Sequence, residues 1–543
     1  MRLPVPGIAI AAVSALSASF ALQAHAQQPV VAEAPLRAHL SLLADDLFEG
    51  RGTGQRGGDL TVRYLETQAA VLGLKPLADG TYRQLVKAEG SKLLPGSFAR
   101  FSADNGKILT PTTGAEILFG TMSGKEDVTI DAPLVFVGYG AIAPEEKWDD
   151  YKGVDVKGKI LVMMVNDPQP TAEEPNRFGG KAYTYYGRWM YKYEEALRQG
   201  AAGALLIHTT PSASYGWSVP ATSFSHERFH LAGSGNPLEG WLQEDTARAL
   251  FAASGFDLDK LRADAERKDF RPVDLKLKMH AEVKSKIRQI EQYNVVGIVP
   301  GSDAKLKSEA VVYSAHWDHL GIDESKQGDN IWNGAIDNGS GVAALLAMAQ
   351  AAVQHPAKRT QVFLWPAGEE TGFLGSIAYM QNPAWPLNKT SADLNLDSMN
   401  FVGATRDIGV AGAERSSLYD AAAVVAKKMG LKLAPAIPDL SGSYFRADHF
   451  QFAKAGIPAF NVGSAVFSGD GHFDFIKDQD KNSARLVAFK QDYHQLSDQY
   501  HADWDLSGMV QQAQFTLNLG YEVANSPKMQ TWKAGDAFSK VKR

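Results

Sequence analysis

The chain has 543 residues, a length that alone would suggest roughly three to four domains. Its 45% hydrophobic and 21% charged residues exclude a disordered or collagen-like chain. A formal charge of −6 argues against nucleic acid and anionic membranes as partners. Cysteine is absent against 13 His, which excludes disulfides, a thiol nucleophile, thiolate zinc sites and iron–sulfur clusters, so any metal must be held by His, Asp and Glu.

Residues 1–26 read as a secretory signal peptide, with Arg2, an apolar stretch from Ile8 to Leu22 and the small-x-small pattern Ala24-His25-Ala26. The apolar run is too short for a membrane anchor. The mature protein is therefore expected to be exported, periplasmic or extracellular, without stable membrane insertion. Residues 30 to about 90 are expected to be largely helical, because Leu36, Leu40, Leu43, Leu47, then Leu60, Tyr64, Leu65 and Leu72, recur at helical intervals. The run Gly50-Arg51-Gly52-Thr53-Gly54-Gln55-Arg56-Gly57-Gly58 lacks the preceding strand and Lys-Ser/Thr ending of a phosphate loop, and is read as an ordered loop between helices.

From 115 to 285 short β-like runs appear, at Leu134–Val137, Ile160–Val165 and Ala204–Ile207, with one helical segment near Tyr191–Gln199. Val273, Leu275, Leu277, Met279, Ala281 and Val283 then alternate with polar residues, the period of a half-buried strand. His208, His226 and His230 are scattered and read as structural or surface groups. Beyond about 290, strands and helices alternate, which predicts a mixed, mostly parallel central sheet flanked by helices. No internal repeat is found.

In this last region apolar runs repeatedly end in metal-ligating residue types. Glu309–Ala315 leads into His316-Trp317-Asp318-His319, Gln361–Trp365 into Gly368-Glu369-Glu370, and Asp393–Leu396 into Asp397. Gly334–Gly341, containing Asp337, precedes the helical run Val342–Val353. Ligands of open α/β sheets bind outside the carboxyl ends of the strands, so these groups are expected to converge. Imidazoles and carboxylates without thiolates suit zinc, with manganese or cobalt as possible substitutes. Of two adjacent acids, one can ligate while its neighbour takes a proton from water. Asp318, two residues after His316, is placed to accept the second imidazole N–H and orient the ring.

The segments Ser314–Gly321, Gly334–Gly341, Gly368–Ser376, Asn395–Asp397, Asp448-His449-Phe450 and Asp492–Asp498 resemble the co-catalytic di-zinc aminopeptidases, a superfamily that includes glutamate carboxypeptidase-like enzymes and glutaminyl cyclases. The resemblance covers about 290–520 closely and 36–75 in outline. Gly138-Tyr139-Gly140 and Asp150–Lys159 resemble a protease-associated domain inserted into the catalytic domain. It implies a helical part over 27–114, a β-rich insertion over 115–285 and a zinc peptidase domain over 286–543.

The resemblance implies one zinc on His316, Asp337 and Asp397 and a second on Asp337, Glu370 and His494, with Asp337 bridging. Glu369 is implied as general base, Tyr493 as hydrogen-bond donor to the oxyanion, and Asp318 as the group orienting a ligand. His501, seven residues beyond His494, does not fit the motif, and His319 and His449 are expected to be supporting or structural. A cis peptide at Asp337–Asn338 is implied. Two departures, the apparent insertion Ile322–Trp332 and Ala447-Asp448-His449 in place of Ser-Asp-His, leave every implied ligand intact. The implied activity is removal of amino-terminal residues from peptide substrates. Carboxypeptidase and glutaminyl cyclase chemistry are the alternatives on the same site, and a non-catalytic binding protein is the alternative of another class. The oligomeric state is open.

Overall fold

The protein is described by a computed structural model over residues 29–435, 437–463 and 473–543. The expected signal peptide, 1–26, lies outside them. Among the described residues no helix is long and apolar enough to cross a membrane.

The architecture is mixed α/β, built around one 27-residue strand, Val273–Val299. Its second half pairs antiparallel with Arg83–Leu93 on one side and Thr360–Trp365 on the other. Ala310–Ser314, Thr390–Asn395 and Ala459–Asn461 then extend the sheet as parallel strands. Their side chains alternate between two cores. Val311, Tyr313, Phe363 and Trp365 face one, while Val312, Val362, Leu364 and Ala459 face the other. A parallel sheet needs both faces covered. The helix Gly341–Gln354 is apolar almost all round, as a helix buried on every side must be. It packs against the helices Glu33–Leu43, Arg56–Leu72 and Ser507–Asn525.

The first half of the long strand belongs to a second body. It pairs with Phe98–Ala103 and Asp127–Phe136, and the sheet continues through Ile160–Met164, Gly203–His208, Glu239–Gln243 and Ile117–Gly120. Leu275, Leu277, Met279, Ala281 and Val283 are buried in its core, as the period-two pattern predicts. The helix Trp189–Arg198 covers the opposite face. Within this body the buried Asp150 accepts hydrogen bonds from Ala141 N (2.9 Å) and Trp148 Nε1 (2.8 Å), tying the Asp150–Lys159 segment to the preceding loop.

The segment expected to be helical through 114 is helical only to Leu72, and Arg83–Leu93 and Phe98–Ala103 are strands. The inward positions of Arg83–Leu93 include Gln84, Val86, Ala88 and Gly90, whose small or polar side chains give almost no alternation to read. The long strand also runs through residue 285 without interruption, so the two bodies share a strand there instead of meeting at a loop.

Packing across the central sheet is close. A Cβ on Gly520, in the helix Ser507–Asn525, would stand 1.9 Å from the Tyr313 hydroxyl oxygen. Gly520→Ala is expected to destabilise the protein by about 1–3 kcal/mol through overpacking, read as a fall of several degrees in apparent Tm. An unchanged melting curve would contradict this packing.

Candidate metal centre

The groups read from the sequence converge at the carboxyl ends of the parallel strands. His316 follows Ala310–Ser314, Glu369 and Glu370 follow Thr360–Trp365, and Asp397 follows Thr390–Asn395. Asp337 comes from the tight turn before Gly341–Gln354, and its peptide bond to Asn338 is cis. His494 follows the helix Gln479–Asp492 with φ of 53°.

Two clusters result, one of His316, Asp337 and Asp397, the other of His319, Asp337, Glu370 and His494. Within each, ligand-type atoms all lie within 4.8 Å of one another. Asp337 belongs to both. Its Oδ1 is 3.4 Å from His316 Nε2 and its Oδ2 is 3.0 Å from His494 Nε2. Asp397 Oδ1 lies 3.6 Å from His316 Nε2, and Glu370 Oε2 lies 3.1 Å from His494 Nε2. Glu369 falls in neither cluster. His319 was expected only to support the site. Its Nδ1 sits 2.7 Å from Glu370 Oε1, holding one oxygen of that carboxylate while the other faces His494.

The arrangement fits divalent cations. His316 Nε2 is buried with no hydrogen-bond partner, aimed between two carboxylates. Mixed nitrogen and oxygen donors without sulfur suit zinc. The acids also crowd one another. Glu369 is pushed well above the carboxylate range by burial and by Glu370, Asp397 and Asp448, against the opposing pull of His316. Burial works against ionised Asp337 and Glu370 too. The imidazoles of His316 and His494 beside it nevertheless hold Asp337 well below its ordinary value, and chiefly His494 brings Glu370 down to about 2.

The supporting contacts differ from expectation at Asp318. His316 Nδ1 pairs at 3.1 Å with the Asp318 main-chain carbonyl, while the carboxylate is 3.8 Å away. That carboxylate instead accepts from the N–H groups of Glu369 (3.1 Å) and Glu370 (3.3 Å) and from Thr53 Oγ1 (3.2 Å). The Asp318 side chain therefore positions the two acids, and its main chain orients the imidazole.

Two further groups were missed. Asp498 accepts from the N–H groups of Ile336 (2.9 Å) and Asp337 (3.1 Å), fixing the turn that presents the shared carboxylate. Its place four residues after His494 in the quoted motif was the available signal. Arg51, fully buried, donates to the carbonyls of Leu43, Trp317, Asn333 and Gly334. Burial pushes its pKa down only to about 10, because Asp498, Asp337, Asp318 and Glu370 oppose the shift, so the cation persists beside the acids at neutral pH. The glycine-rich loop thus buttresses the centre. Gly50 has φ of 63°, and a Cβ there would stand 2.4 Å from the Trp332 carbonyl oxygen. The apparent insertion Ile322–Trp332 forms a short hairpin against this loop, with Ile322 N donating to Gln55 Oε1 at 2.9 Å.

Tyr493 stacks on His494 with ring centroids 3.9 Å apart. Tyr493 is 38% exposed, but desolvation of its hydroxyl and the carboxylates of Asp337, Glu370, Glu369 and Asp397 push the pKa well above its ordinary value, so it stays a donor. His501 packs on Trp504, and His449 lies under Tyr444, both outside the clusters.

Residues 294–517 match the model of peptidase family M28. Leucine aminopeptidase 1 of Arthroderma otae is 26% identical over 283 residues, which cover 50% of this chain and 69% of that protein. The chain spans 53% of the leucine aminopeptidase 1 of Arthroderma gypseum, at 28% identity over 40% of its own length. An aminopeptidase from Aneurinibacillus sp. strain AM-1 superposes with a TM-score of 0.48 at 19% identity, over 91% of this chain and 94% of that one.

Removing the Asp498 carboxylate should leave two buried N–H groups unpaired. Asp498→Ala is therefore expected to weaken zinc binding about 10–100-fold, measured by competition with a chelator. Unaltered affinity would contradict this role.

His449 gives a second test. Burial pushes its pKa down to about 3, so the fold keeps it neutral while the unfolded chain binds a proton below about 6.5. Its contribution to stability is complete above pH 6.5 and is lost as pH falls towards 3. The apparent Tm should drop across that window, and less steeply in His449→Gln.

Proposed function

We propose, on the premise that the chain belongs to peptidase family M28 over residues 294–517, that it is an aminopeptidase working with two zinc ions. His316, Asp337 and Asp397 would hold one ion, and Asp337, Glu370 and His494 the other. The observation that carries this reading is the sharing of Asp337, which turns one oxygen towards each imidazole. Bound there, zinc supplies Lewis acidity and lowers the pKa of water towards about 7.

The remaining steps fall to side chains of this chain. Glu369 is partly buried beside the clusters and belongs to neither, and Asp318 pins its main chain. A carboxylate with raised proton affinity is suited to take a proton from the attacking water and pass it to the leaving amine as the C–N bond breaks. The Tyr493 hydroxyl donates to the oxyanion that develops on the carbonyl oxygen. The concentration of acids around the clusters favours a substrate with a positive amino terminus.

The leader-like residues 1–26 support export. The second body, which carries the Gly138–Gly140 and Asp150–Lys159 segments, is proposed to be a protease-associated domain.

Glu369→Gln is expected to lower kcat on leucyl p-nitroanilide by at least about 10²-fold while zinc content stays unchanged. Substantial residual turnover would remove Glu369 from the role of base. The chelator-treated protein should lose activity and regain it with two equivalents of zinc per chain. Full recovery with one equivalent would overturn the paired assignment.

A further inference from the structure

At the seam between the two bodies lie two guanidinium groups without a carboxylate partner. Arg188 stands at the start of the helix Trp189–Arg198 in the second body. It is only 9% exposed, yet its side chain makes no hydrogen bond or ion pair among the described residues, and Nε is buried and unpaired. Its guanidinium carbon lies 6.0 Å from the centre of the Tyr183 ring.

The opposite wall belongs to the catalytic body. A Cβ on Gly442 would stand 3.3 Å from Arg188 Cδ, so the 439–446 loop passes directly against the arginine stem. Arg446 on that loop is exposed, and Nη2 donates to the Ser441 carbonyl at 2.9 Å. The two positive charges are near enough to repel, with the Tyr183 and Tyr215 hydroxyls and Asp439 around them. Asp439 favours the Arg188 cation from a distance but makes no hydrogen bond or ion pair with either guanidinium. Its carboxylate is taken up by the N–H groups of Ser441 (3.3 Å), Ser443 (2.9 Å) and Tyr444 (2.9 Å), which shape the loop.

A buried, unpaired guanidinium is strongly disfavoured unless an anion completes it. Its planar fork matches a carboxylate, which accepts two parallel hydrogen bonds. The same loop leads, two residues on, to Asp448, buried within electrostatic reach of His316, Asp318 and Asp397. The subsite therefore lies along the chain segment that enters the metal centre.

We propose that Arg188 and Arg446, one from each body, form a subsite for a carboxylate of the substrate. The inference rests on the aminopeptidase reading and narrows it to peptides with a carboxylate beyond the scissile bond. That group is either the free carboxyl terminus of a short peptide or an acidic side chain.

The zinc-loaded full chain would be assayed on leucyl p-nitroanilide, Leu-Gly-Gly and its amide, Leu-Glu-amide and Leu-Gln-amide, and N-acetyl-Leu-Gly-Gly. For a terminal carboxylate, kcat/KM for Leu-Gly-Gly should exceed that for its amide by about tenfold or more. For a side chain, the same preference should appear for Leu-Glu-amide over Leu-Gln-amide. In either case Arg446→Met should bring the ratio close to one, and Arg188→Lys should retain part of it. Arg446 is exposed, so its variant tests the subsite even where Arg188 variants fail to fold. Equal rates within both pairs, or a preference that survives Arg446→Met, would overturn the subsite. No cleavage of any unblocked substrate, or cleavage of the acetylated peptide from its carboxyl end, would overturn the aminopeptidase reading instead.

Discussion

The carboxylate of Asp337 is buried between two imidazoles, one against each oxygen, and the rest of the centre follows from keeping it there. A buried carboxylate is costly unless its lone pairs are met by donors or cations. The imidazoles meet them from the front, and Asp498 holds the Asp337 N–H from behind. Asp397 and Glu370 crowd the same space, so the site concentrates negative charge that divalent cations relieve. Arg51 contributes a fixed positive charge beneath this cluster, and its four carbonyl contacts lock together the loops that deliver the ligands.

Much of this centre was legible because its chemistry interrupts simple patterns. Apolar runs such as Ala310–Ser314 and Thr360–Trp365 end abruptly in His316 and in Glu369-Glu370, and strand ends of one sheet meet in space. The supporting contacts were hidden because they run through the main chain. Arg51 reads carbonyl oxygens that every residue possesses, so nothing at Leu43, Asn333 or Gly334 announces it. Asp318 was located correctly, but its carboxylate and its carbonyl do different work, and sequence spacing cannot separate them.

The strands Arg83–Leu93 and Phe98–Ala103 were hidden for a related reason. Their pairing partners lie about two hundred residues away in the long strand, and the inward side chains of Arg83–Leu93 are small or polar. The alternation at Val273–Val283 was clear because large apolar groups face a core on one side and solvent on the other. Arg188 is legible only in three dimensions. It becomes unusual once the fold brings it near Arg446 and, among the described residues, pairs no carboxylate with either guanidinium.

The shared strand has a mechanical meaning. Between Leu277 and Val299 it is hydrogen-bonded to a neighbour along nearly its whole length, first in one body and then in the other. The bodies are joined by a beam, not a tether. Rotating one against the other would have to twist or break a ladder, whereas a flexible linker would turn almost freely. The orientation of one body against the other is therefore set by the natural twist of a β-sheet, and its fluctuations should be those of a stiff spring.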